Sequence, residues 1–423
     1  MRIFYSVLFS LLVPFILVRL LWRSIKASDY RQRWRERFAY YNKQMPQDVI
    51  WFHAVSVGEA EAVFPLVKCL QKQFPQTKIL VTTTTPTGSS RVRAVLGQTV
   101  EHVYLPYDIP GIVKRFLACF KPVLAVVMET ELWPNLLHYC GENNIPCYLI
   151  NARLSEKSAR GYQKLPSLIQ PGLARIKQIA AQTQEDAERF VTIGAKPSQV
   201  STFGNMKFDM DIAEETIVEG KQLKKNEFND RFVWLAASTH HGEEQILLEV
   251  YASLKVVIPE LLLLVVPRHP ERFAEVAALC GQNDLKVVTR TSKKHCAWVT
   301  DIYLADTLGE LKMLYAGADV AFVGGSLVPV GGHNLLEPAA LGVPILFGPY
   351  MQNFKEIAKK IVEHNAALQC QDKDAIVQAV QSLYSDMSKR KLLIANGKAF
   401  VEKNRGAIAK VAEMLGEELS QKK

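Results

Sequence analysis

The sequence predicts an α/β protein with two domains, each built on a parallel β-sheet that is covered by helices on both faces. Short apolar runs typical of buried strands alternate with helical stretches of about 10–15 residues along most of the chain. A polar and charged stretch, Asn205–Asp230, interrupts this alternation. The chain has 423 residues, 48% of them hydrophobic, which is enough for two separate cores.

The elements predicted for the first domain follow each other in a regular order. Ser56-Val57-Gly58-Glu59 is typical of a helix start, and that helix is expected to run to about Gln73. Pro86-Thr87-Gly88 and Trp133-Pro134 mark two later helix starts. The predicted strands are Val49–Ala54, Lys78–Thr83, Leu124–Met128, Cys147–Asn151, Gln178–Ala181 and Gln199–Phe203. Their alternation with helices indicates a doubly wound sheet.

The alternation resumes after the polar stretch, which we interpret as an interdomain connector because it contains the charged run Lys221–Asn229. The predicted strands of the second domain are Phe232–Ala236, Leu261–Val266, Leu285–Thr289, Asp301–Leu304, Val320–Val323 and Ile345–Phe347. The tail, Val401–Leu419, has helical periodicity and is expected to pack back toward the first domain. The predicted boundaries are 1–28 for an N-terminal anchor, 29–210 and 230–400 for the domains, 211–229 for the linker and 401–423 for the tail.

The chain begins with an apolar segment, Ile3–Trp22, which is long enough for a membrane helix, since about 20 residues cross a bilayer. A cleaved signal peptide is the main alternative, but a basic cluster follows in place of a small-residue cleavage site. By the positive-inside rule, that cluster keeps the body of the protein on the cytoplasmic side. Pro14 and Arg19 weaken the segment as a span, so a helix lying in the interface fits equally well. The basic cluster consists of Arg19, Arg23, Lys26, Arg31, Arg33, Arg35 and Arg37.

The overall charge and the cysteines narrow the class of protein. A net charge of +9 and a pI near 9.0 favour an acidic partner, such as nucleic acid, anionic lipid or a phosphorylated substrate. The sequence contains neither an RNP motif nor a zinc finger, so no nucleic-acid partner is expected. The seven cysteines are scattered without a CxxC pair, which is typical of free thiols in a reducing compartment.

The stretch Phe322–Pro349 has the most distinctive pattern of strand, glycine-rich loop, helix and strand. Gly331 and Gly332 allow the backbone to approach a ligand, and His333 and Asn334 precede the predicted helix Leu335–Leu341. The N-terminal end of a helix favours a phosphate, and Glu337 is placed to accept a hydrogen bond from a sugar hydroxyl. An ordinary βαβ turn, with glycines for geometry alone, accounts for this stretch equally well. Neither a GxGxxG nor a GxxxxGK motif is present.

Several other polar residues follow predicted strands, where ligands bind in open α/β sheets. Glu59 is a candidate general base that the helix dipole keeps ionised, although a first-turn acid often only stabilises its helix. Glu129 and Glu131 leave the strand LAVVM, and Lys207 lies in GNMKFD; an exposed surface charge is the alternative for each.

The second domain offers further candidates for binding a nucleotide. Arg268 and His269 follow the strand LLLLVV between two prolines, a suitable position for a phosphate clamp. Gly309, Glu310 and Leu311 begin a helix whose N–H groups are available to contact a base. Two tempting metal motifs are discounted: Asp209–Asp211 (DMD) lies in the connector, and the adjacent side chains of THHGEE do not converge like ligands spaced i, i+4.

These motifs together resemble the family of 3-deoxy-D-manno-octulosonic acid (Kdo) transferases of lipopolysaccharide synthesis. The resemblance covers nearly the whole chain and comprises the N-terminal anchor followed by HAVSVGE, VMETELWPN, FGNMKFD, VPRHPERF, DTLGELKMLY and FVGGSLVPVGGHNLLEPAA. The family more often has proline where Leu335 stands. The resemblance implies a GT-B glycosyltransferase fold, with two Rossmann-like domains facing a cleft.

The family resemblance also assigns roles by position. Glu59 corresponds to the proton acceptor, and Glu129 and Lys207 correspond to residues that stabilise the transition state. The positions that correspond to CMP binding, together with those expected at the phosphate, are Arg268, His269, Gly309, Glu310, Leu311, Gly332, His333, Asn334, Leu335, Leu336 and Glu337. The resemblance implies that no metal cofactor is needed.

The implied activity is inverting transfer of Kdo from CMP-Kdo to a lipid A precursor, lipid IVA, at the inner membrane. The partners would be CMP-Kdo, the phosphorylated glycolipid and the anionic membrane surface, with the catalytic domains on the cytoplasmic side. Two alternatives belong to other classes: a GT-B transferase or epimerase that uses a UDP-sugar, and a non-catalytic membrane-bound lipid-binding protein. The last would not need an acid at Glu59 or a cation at Arg268.

Overall fold

The structure is a computed structural model that describes residues 1–26, 28–282 and 284–421, without the side chains of Lys26 and Ser28. The predicted anchor and the predicted C-terminal segment therefore each include a few residues outside the described ranges. The chain divides into two compact units. The first comprises Met1–Asp209 and Arg405–Lys423, and the second comprises Met210–Asn404.

Among its described residues, the first unit contains seven strands and eight α-helices before the boundary at Asp209. The strands are β1 (Ile50–His53), β2 (Ile79–Thr83), β3 (Glu101–Tyr104), β4 (Leu124–Met128), β5 (Cys147–Ala152), β6 (Ile176–Ala181) and β7 (Val200–Thr202). The helices are α1 (Arg2–Lys26), α2 (Val57–Gln73), α3 (Pro86–Leu96), α4 (Pro110–Phe120), α5 (Pro134–Glu142), α6 (Glu156–Gln163), α7 (Pro166–Leu173) and α8 (Gln184–Thr192). The strands pair in parallel in the order β3-β2-β1-β4-β5-β6-β7.

Both faces of this sheet are buried, which explains why its central strands read as continuous apolar runs. Successive side chains of β4 alternate between two cores: Ala125 and Val127 lie in one, and Leu124, Val126 and Met128 lie in the other. Polar residues are therefore confined to the ends of these strands, where the loops that bear the candidate site residues begin.

The second unit repeats this architecture. Its strands are β8 (Val233–Thr239), β9 (Leu262–Pro267), β10 (Val287–Thr289), β11 (Ile302–Leu304), β12 (Val320–Val323), β13 (Ile345–Phe347) and β14 (Leu368–Gln369). Its helices are α9 (Glu214–Glu227), α10 (Glu243–Val257), α11 (Phe273–Gly281), α12 (Leu311–Ala316), α13 (Leu336–Leu341), α14 (Lys355–Glu363), α15 (Lys373–Ser385) and α16 (Met387–Lys403). The strands are parallel in the order β10-β11-β9-β8-β12-β13-β14. The predicted α/β class with two parallel sheets is confirmed.

The interpretation of residues 211–229 as a linker needs correction. Most of this stretch forms α9, which belongs to the second unit and packs against α12. At Gly220 the two backbones approach so closely that a Cβ atom would lie 2.3 Å from the carbonyl oxygen of Met313. Lys224 Nζ lies 2.6 Å from Asp319 Oδ2, which also accepts a hydrogen bond from Val233 N. The charged residues therefore lie on the solvent-exposed side of a helix that is part of the second unit.

The C-terminal tail consists of two helices, whereas the sequence analysis predicted one over Val401–Leu419. Helix α16 ends at Lys403, and α17 (Ala407–Ser420) follows after Gly406, which has a φ of 101°. Helix α17 packs on α2 within the first unit. The Asp209 carboxylate accepts hydrogen bonds from the N–H groups of Gly406 and Ile408, at 2.6 and 2.5 Å. One acid of the discounted DMD motif thus caps a helix.

Helix α1 is long and apolar enough to cross a membrane, with a mean hydropathy of 2.2 over its best window, of which 6% is buried. One side of it nevertheless docks on the first unit. Arg2 Nη1 and Ser6 Oγ both donate to Oδ1 of the buried Asn135, at 3.0 and 3.1 Å. Further along, the Phe9 ring meets Trp133 edge to face at 6.3 Å, and Val13 joins the core.

Part of the predicted basic cluster is structural. Arg37 is buried and donates to the Thr84 carbonyl at 2.8 Å, and Arg33 donates to the His102 carbonyl at 2.6 Å. The members of the cluster that remain exposed are Arg19, Arg23, Arg31 and Arg35. Only these four are therefore available to an anionic surface, while the Lys26 side chain lies outside the described residues.

The close approach at Gly220 predicts a specific effect on stability. Gly220→Ala should lower the stability of the second unit by about 1–3 kcal/mol, because the added methyl group meets a backbone carbonyl that cannot move away freely. Gly161→Ala in α6, where nothing lies within 4 Å of the added Cβ, is the matched control and should be neutral or stabilising by up to about 1 kcal/mol. Thermal unfolding of both variants checks this, and equal melting temperatures would contradict it.

Candidate functional site

In the first unit, Glu59 lies in the first turn of α2, directly after β1. Ser56 caps this helix, and its Oγ both accepts from Glu59 N at 3.3 Å and donates to Glu59 Oε1 at 2.9 Å. Val55 N donates to Oε2 at 2.9 Å. Burial raises the pKa of Glu59, the hydrogen bonds lower it, and the neighbouring Glu129 raises it, with a net upward shift. Burial thus outweighs the effect expected from the helix dipole alone.

Glu129 follows β4 in a left-handed backbone conformation, with a φ of 54°, which is unusual for a residue other than glycine. Its N–H donates to the Ile150 carbonyl at 3.0 Å, which fixes the turn at the end of the sheet. The buried carboxylate forms an ion pair with the exposed Arg153, with 2.8 Å between Oε2 and Nε. Strained backbone of this kind is often retained where a side chain must point into a site.

Lys207 lies in a short 3-10 turn, Met206–Phe208, that the end of β5 holds in place. Asn151 Oδ1 accepts from Met206 N at 3.0 Å, and Asn205 Oδ1 accepts from Lys207 N at 3.0 Å. Burial lowers the pKa of Lys207, while the charges of Glu129 and Glu59 act to raise it. The three residues that the sequence analysis placed in the catalytic group are therefore electrostatic neighbours.

Glu131 belongs to the same cluster and is held by Trp133, whose Nε1–H donates to Oε2 at 2.8 Å. Burial, followed by the charges of Glu59 and Glu129, raises the pKa of Glu131 to about 7. Three carboxyl groups with a lysine and an arginine thus lie at the carboxyl edge of the first sheet. Such a cluster can accept a proton near neutral pH and stabilise developing charge.

In the second unit, the loops after β8, β9 and β12 bring a group of cations and histidines together. Arg268 and His269 are exposed directly after β9, and Arg268 N donates to the Thr239 carbonyl at 3.0 Å. Among the described residues, Arg268 forms no ion pair with a carboxylate. Burial, followed by the nearby charge of Arg268, lowers the pKa of His333 to about 3. An uncompensated cation beside neutral imidazoles is a suitable environment for a phosphate.

The glycine pair in the loop after β12 shapes the backbone of that loop. Gly331 and Gly332 both have positive φ, 111° and 75°, and their N–H groups donate to the Gly325 carbonyl at 3.2 and 2.7 Å. These two N–H groups therefore close the loop on itself. A Cβ at Gly332 would lie 2.2 Å from Met351 Sδ, so the Met351 side chain would have to move to admit one.

Helix α13 begins one residue later than predicted, at Leu336. Asn334 caps it, because its Oδ1 accepts from Leu336 N at 3.0 Å. Leu335 and Leu336 are fully buried, so their side chains belong to the core. Glu337 lies in the first turn, and its charge contributes to the raised pKa of Tyr315.

The segment Gly309–Leu311 begins α12, as predicted, with Gly309 at a φ of 87°. The Glu310 carboxylate is already engaged: it pairs with Arg290 at 2.9 Å and accepts a hydrogen bond from Thr307 Oγ1. These contacts lower the pKa of Glu310, and the hydrogen bond with Arg290 has the largest effect. The backbone of this segment, rather than the Glu310 side chain, is therefore suited to contact a base.

The sequence analysis missed two residues at this edge of the second sheet. Glu243 belongs to the motif THHGEE, and its buried carboxylate accepts from Gly325 N, Ser326 N and Leu327 N at 2.7, 3.0 and 2.9 Å. His240 contacts His333 with 2.8 Å between the two Nε2 atoms. The signal was the THHGEE motif, which follows a strand end. Across the described residues, no group of three or more His, Cys, Asp or Glu is arranged to hold a metal ion.

The raised pKa of Glu131 predicts a pH dependence of stability. Because the folded-state pKa of about 7 exceeds the ordinary value of 4.5, Glu131 favours the folded state at low pH, and this contribution is lost as the pH rises through 7. Glu131→Gln should therefore stabilise the first unit by about 1–3 kcal/mol at pH 8 and by less at pH 5.5.

Melting temperatures at the two pH values check this prediction. Glu156→Gln is the control, since that carboxylate lies on the exposed surface of α6 and pairs only with the neighbouring Arg160 among the described residues. A gain for Glu131→Gln that is the same at both pH values would contradict the argument.

Comparisons with known proteins identify the family of this chain. The family model described as 3-Deoxy-D-manno-octulosonic-acid transferase (kdotransferase) matches residues 32–210. The 3-deoxy-D-manno-octulosonic acid transferase of Haemophilus influenzae is 40% identical over 417 residues, which cover 98% of both chains. The protein of the same name from Bordetella pertussis is 34% identical over 376 residues, 86% of each chain.

A solved structure shows the same fold at low sequence identity. A glycosyltransferase from Rickettsia africae is 13% identical and has a TM-score of 0.57, with 90% of this chain and 99% of that chain covered. The predicted family resemblance is confirmed by the relatives above. The chain belongs to the 3-deoxy-D-manno-octulosonic acid transferase family and is a glycosyltransferase.

Proposed function

We propose that this protein transfers Kdo from CMP-Kdo to a lipid A precursor, lipid IVA, with inversion at the anomeric carbon and Glu59 as the general base. The observation that carries the proposal is the cluster of buried Glu59 and Glu129 with half-buried Glu131 and Lys207 at the carboxyl edge of the first sheet, in a chain of this family. The first unit would bind the acceptor, and the second would bind the CMP-sugar.

Three features support Glu59 as the base. Its carboxylate is oriented by Val55 N and Ser56 Oγ, and each oxygen retains a further lone pair for an incoming hydroxyl proton. Its raised pKa makes it a better proton acceptor than an ordinary glutamate. It removes a proton from a glucosamine hydroxyl of the lipid, and that oxygen attacks the anomeric carbon of Kdo as CMP leaves.

Glu129 and Lys207 stabilise the charge that develops in the transition state. The Glu129 carboxylate is fixed by Arg153 at 2.8 Å and by its unusual backbone conformation, so it requires little reorganisation during the reaction. The Lys207 ammonium lies close enough to Glu129 and Glu59 for their charges to act on its pKa. Replacement of either residue would therefore alter the electrostatics of the base as well.

The donor phosphate is held by Arg268 and His269, with the backbone of His333–Leu336 and Gly309–Leu311 beside the nucleotide. CMP is already a good leaving group, so fixed positive charge at its phosphate suffices and no metal ion is needed. The exposed, uncompensated guanidinium of Arg268 supports this assignment.

Association with the cytoplasmic face of the inner membrane completes the proposal. Exposed apolar residues of α1, including Phe4, Leu11, Phe15 and Trp22, give the helix a face suited to lipid. The exposed Arg19 and Arg23 add positive charge on the same helix. A bisphosphorylated glycolipid in an anionic membrane is a substrate that such a surface would attract.

Nucleotide binding separates this proposal from an enzyme that uses a UDP-sugar and from a non-catalytic lipid-binding protein. CMP should raise the melting temperature of the wild-type chain, because a ligand that binds only the folded state stabilises it, and UDP at the same concentration should not. Arg268→Ala should abolish the CMP shift. Lys286→Ala is a control cation in the same unit, and stabilisation by UDP but not by CMP would overturn the assignment of the donor.

Transfer itself is tested with CMP-Kdo and lipid IVA, followed by mass spectrometry of the lipid. Glu59→Gln keeps an oxygen to accept from Val55 N and places an amide N–H beside Ser56 Oγ, but it cannot accept a proton. It should lower the rate at least about 100-fold while CMP still binds. Product formation by the wild type should persist in excess EDTA.

Glu61→Gln is the matched control, since Glu61 lies on the same helix and pairs with Arg91 at the surface, at 2.5 Å. Turnover by Glu59→Gln at the rate of this control would rule out Glu59 as the base. Loss of turnover in EDTA, restored by a divalent cation, would rule out the metal-independent mechanism. The mass of the product also reports how many Kdo residues are added.

A further inference from the structure

His240 is absent from the predicted donor site, but it lies between two of the loops that form it. It follows β8, while His269 follows β9 and His333 lies in the loop after β12. The His240 ring lies edge to edge with the ring of His333 and nearly in the same plane, with centroids 5.0 Å apart and planes 10° apart. It meets the ring of His269 edge to face at 5.2 Å. His240 thus contacts side chains from two other strand-end loops.

The contact between His240 and His333 is specific because it joins two ring nitrogens. At 2.8 Å between the Nε2 atoms, one ring must donate a proton and the other must accept it. The accepting ring is then neutral and carries its proton on Nδ1. The tautomers of the two rings are therefore coupled. The ring that donates from Nε2 has an Nδ1 that accepts, and the other ring has an Nδ1 that donates.

The surroundings keep both rings neutral in the absence of a ligand. Burial lowers the pKa of His240, and the charges of His269, Arg268 and Arg272 lower it further, against the opposing effect of Glu244. Burial, Arg268, His240 and His269 lower the pKa of His333. Of the charged groups near His240, Arg272 is neutralised by Glu244 through two hydrogen bonds of 2.6 and 3.0 Å. Arg268, in contrast, forms no ion pair with a carboxylate among the described residues.

The backbone of His240 is held in place by the Glu243 carboxylate. Its N–H donates to Glu243 Oε2 at 2.9 Å, and the same carboxylate accepts from Gly325, Ser326 and Leu327. Two sets of hydrogen bonds thus connect the loops after β8 and β12. In the first, the Glu243 carboxylate accepts from backbone N–H groups of both loops, and in the second, the side chains of His240 and His333 bond to each other. The second set involves His333, which directly precedes Asn334, the residue that caps α13.

We propose that His240 is a positioning residue of the donor site, which holds His333 in one tautomer and orientation beside Arg268 so that the loop after β12 is preorganised for the phosphate of the nucleotide. The inference rests on the proposed function, since it concerns the same donor site. His240 acts through His333, so its loss should weaken donor binding more than it slows the chemical step.

Three variants of the full chain separate this role from simple packing. His240→Phe keeps an aromatic ring at this position but removes the hydrogen bond, and it should weaken CMP binding about tenfold. It should raise the KM for CMP-Kdo by a similar factor, with a smaller change in kcat. His240→Gln places an amide near the former Nε2 and should restore CMP affinity to within about threefold of the wild type. His241→Gln, at the neighbouring exposed histidine, should have no effect.

CMP dissociation constants measured by calorimetry, with melting temperatures as a check on folding, decide the matter. CMP affinity of His240→Phe equal to that of the wild type would overturn the inference alone, as would failure of His240→Gln to recover affinity in a folded chain. No binding of CMP by the wild-type chain would overturn the proposed function, and this inference with it.

Discussion

The structure depends above all on the burial of both faces of two parallel sheets. A strand that is apolar on both sides cannot carry polar chemistry along its length, so ionisable groups are excluded until the strand ends. Because parallel strands all end at the same edge, the groups from loops distant in sequence meet there. Glu59, Glu129 and Lys207 come from three different strand ends. The charge of Glu129 acts on the pKa of Glu59 and of Lys207 only because the sheet places those ends together.

Two buried glutamates show how similar local sequences acquire different functions. Glu59 and Glu243 both stand in the first turn of a helix that follows a strand, and burial raises the pKa of each. Glu243 accepts four backbone N–H groups, three of them from one distant loop, so its bonding capacity is largely used within the protein. Glu59 accepts from its own helix start and faces other carboxyl groups. The difference lies in the partners that the fold supplies, which are far away in sequence.

The sequence was therefore a good guide to some elements and a poor one to others. The strand Leu124–Met128 was predicted to the residue, because five consecutive apolar side chains are typical of a strand that is buried on both faces. Strand β3 was missed because its sequence, EHVY, begins with polar residues, and β14 because it has two residues. Helix α9 was mistaken for a linker because few of its residues are buried, Gly220 and Leu223 among them. The candidate site residues were found by motif, but the pairing of Gly332 with Gly325, and of His240 with His333, arises between loops and has no local signal.

The contacts of α1 with the rest of the first unit have a consequence for any truncation of the protein. Phe9 touches the ring of Trp133, and the indole nitrogen of Trp133 holds Glu131. A truncated form that lacked α1 would thus lose more than an apolar helix. It would expose the Trp133 ring and deprive the buried Asn135 of two hydrogen-bond donors. The helix proposed to meet the lipid is therefore separated from Glu131 by a single aromatic ring, that of Trp133.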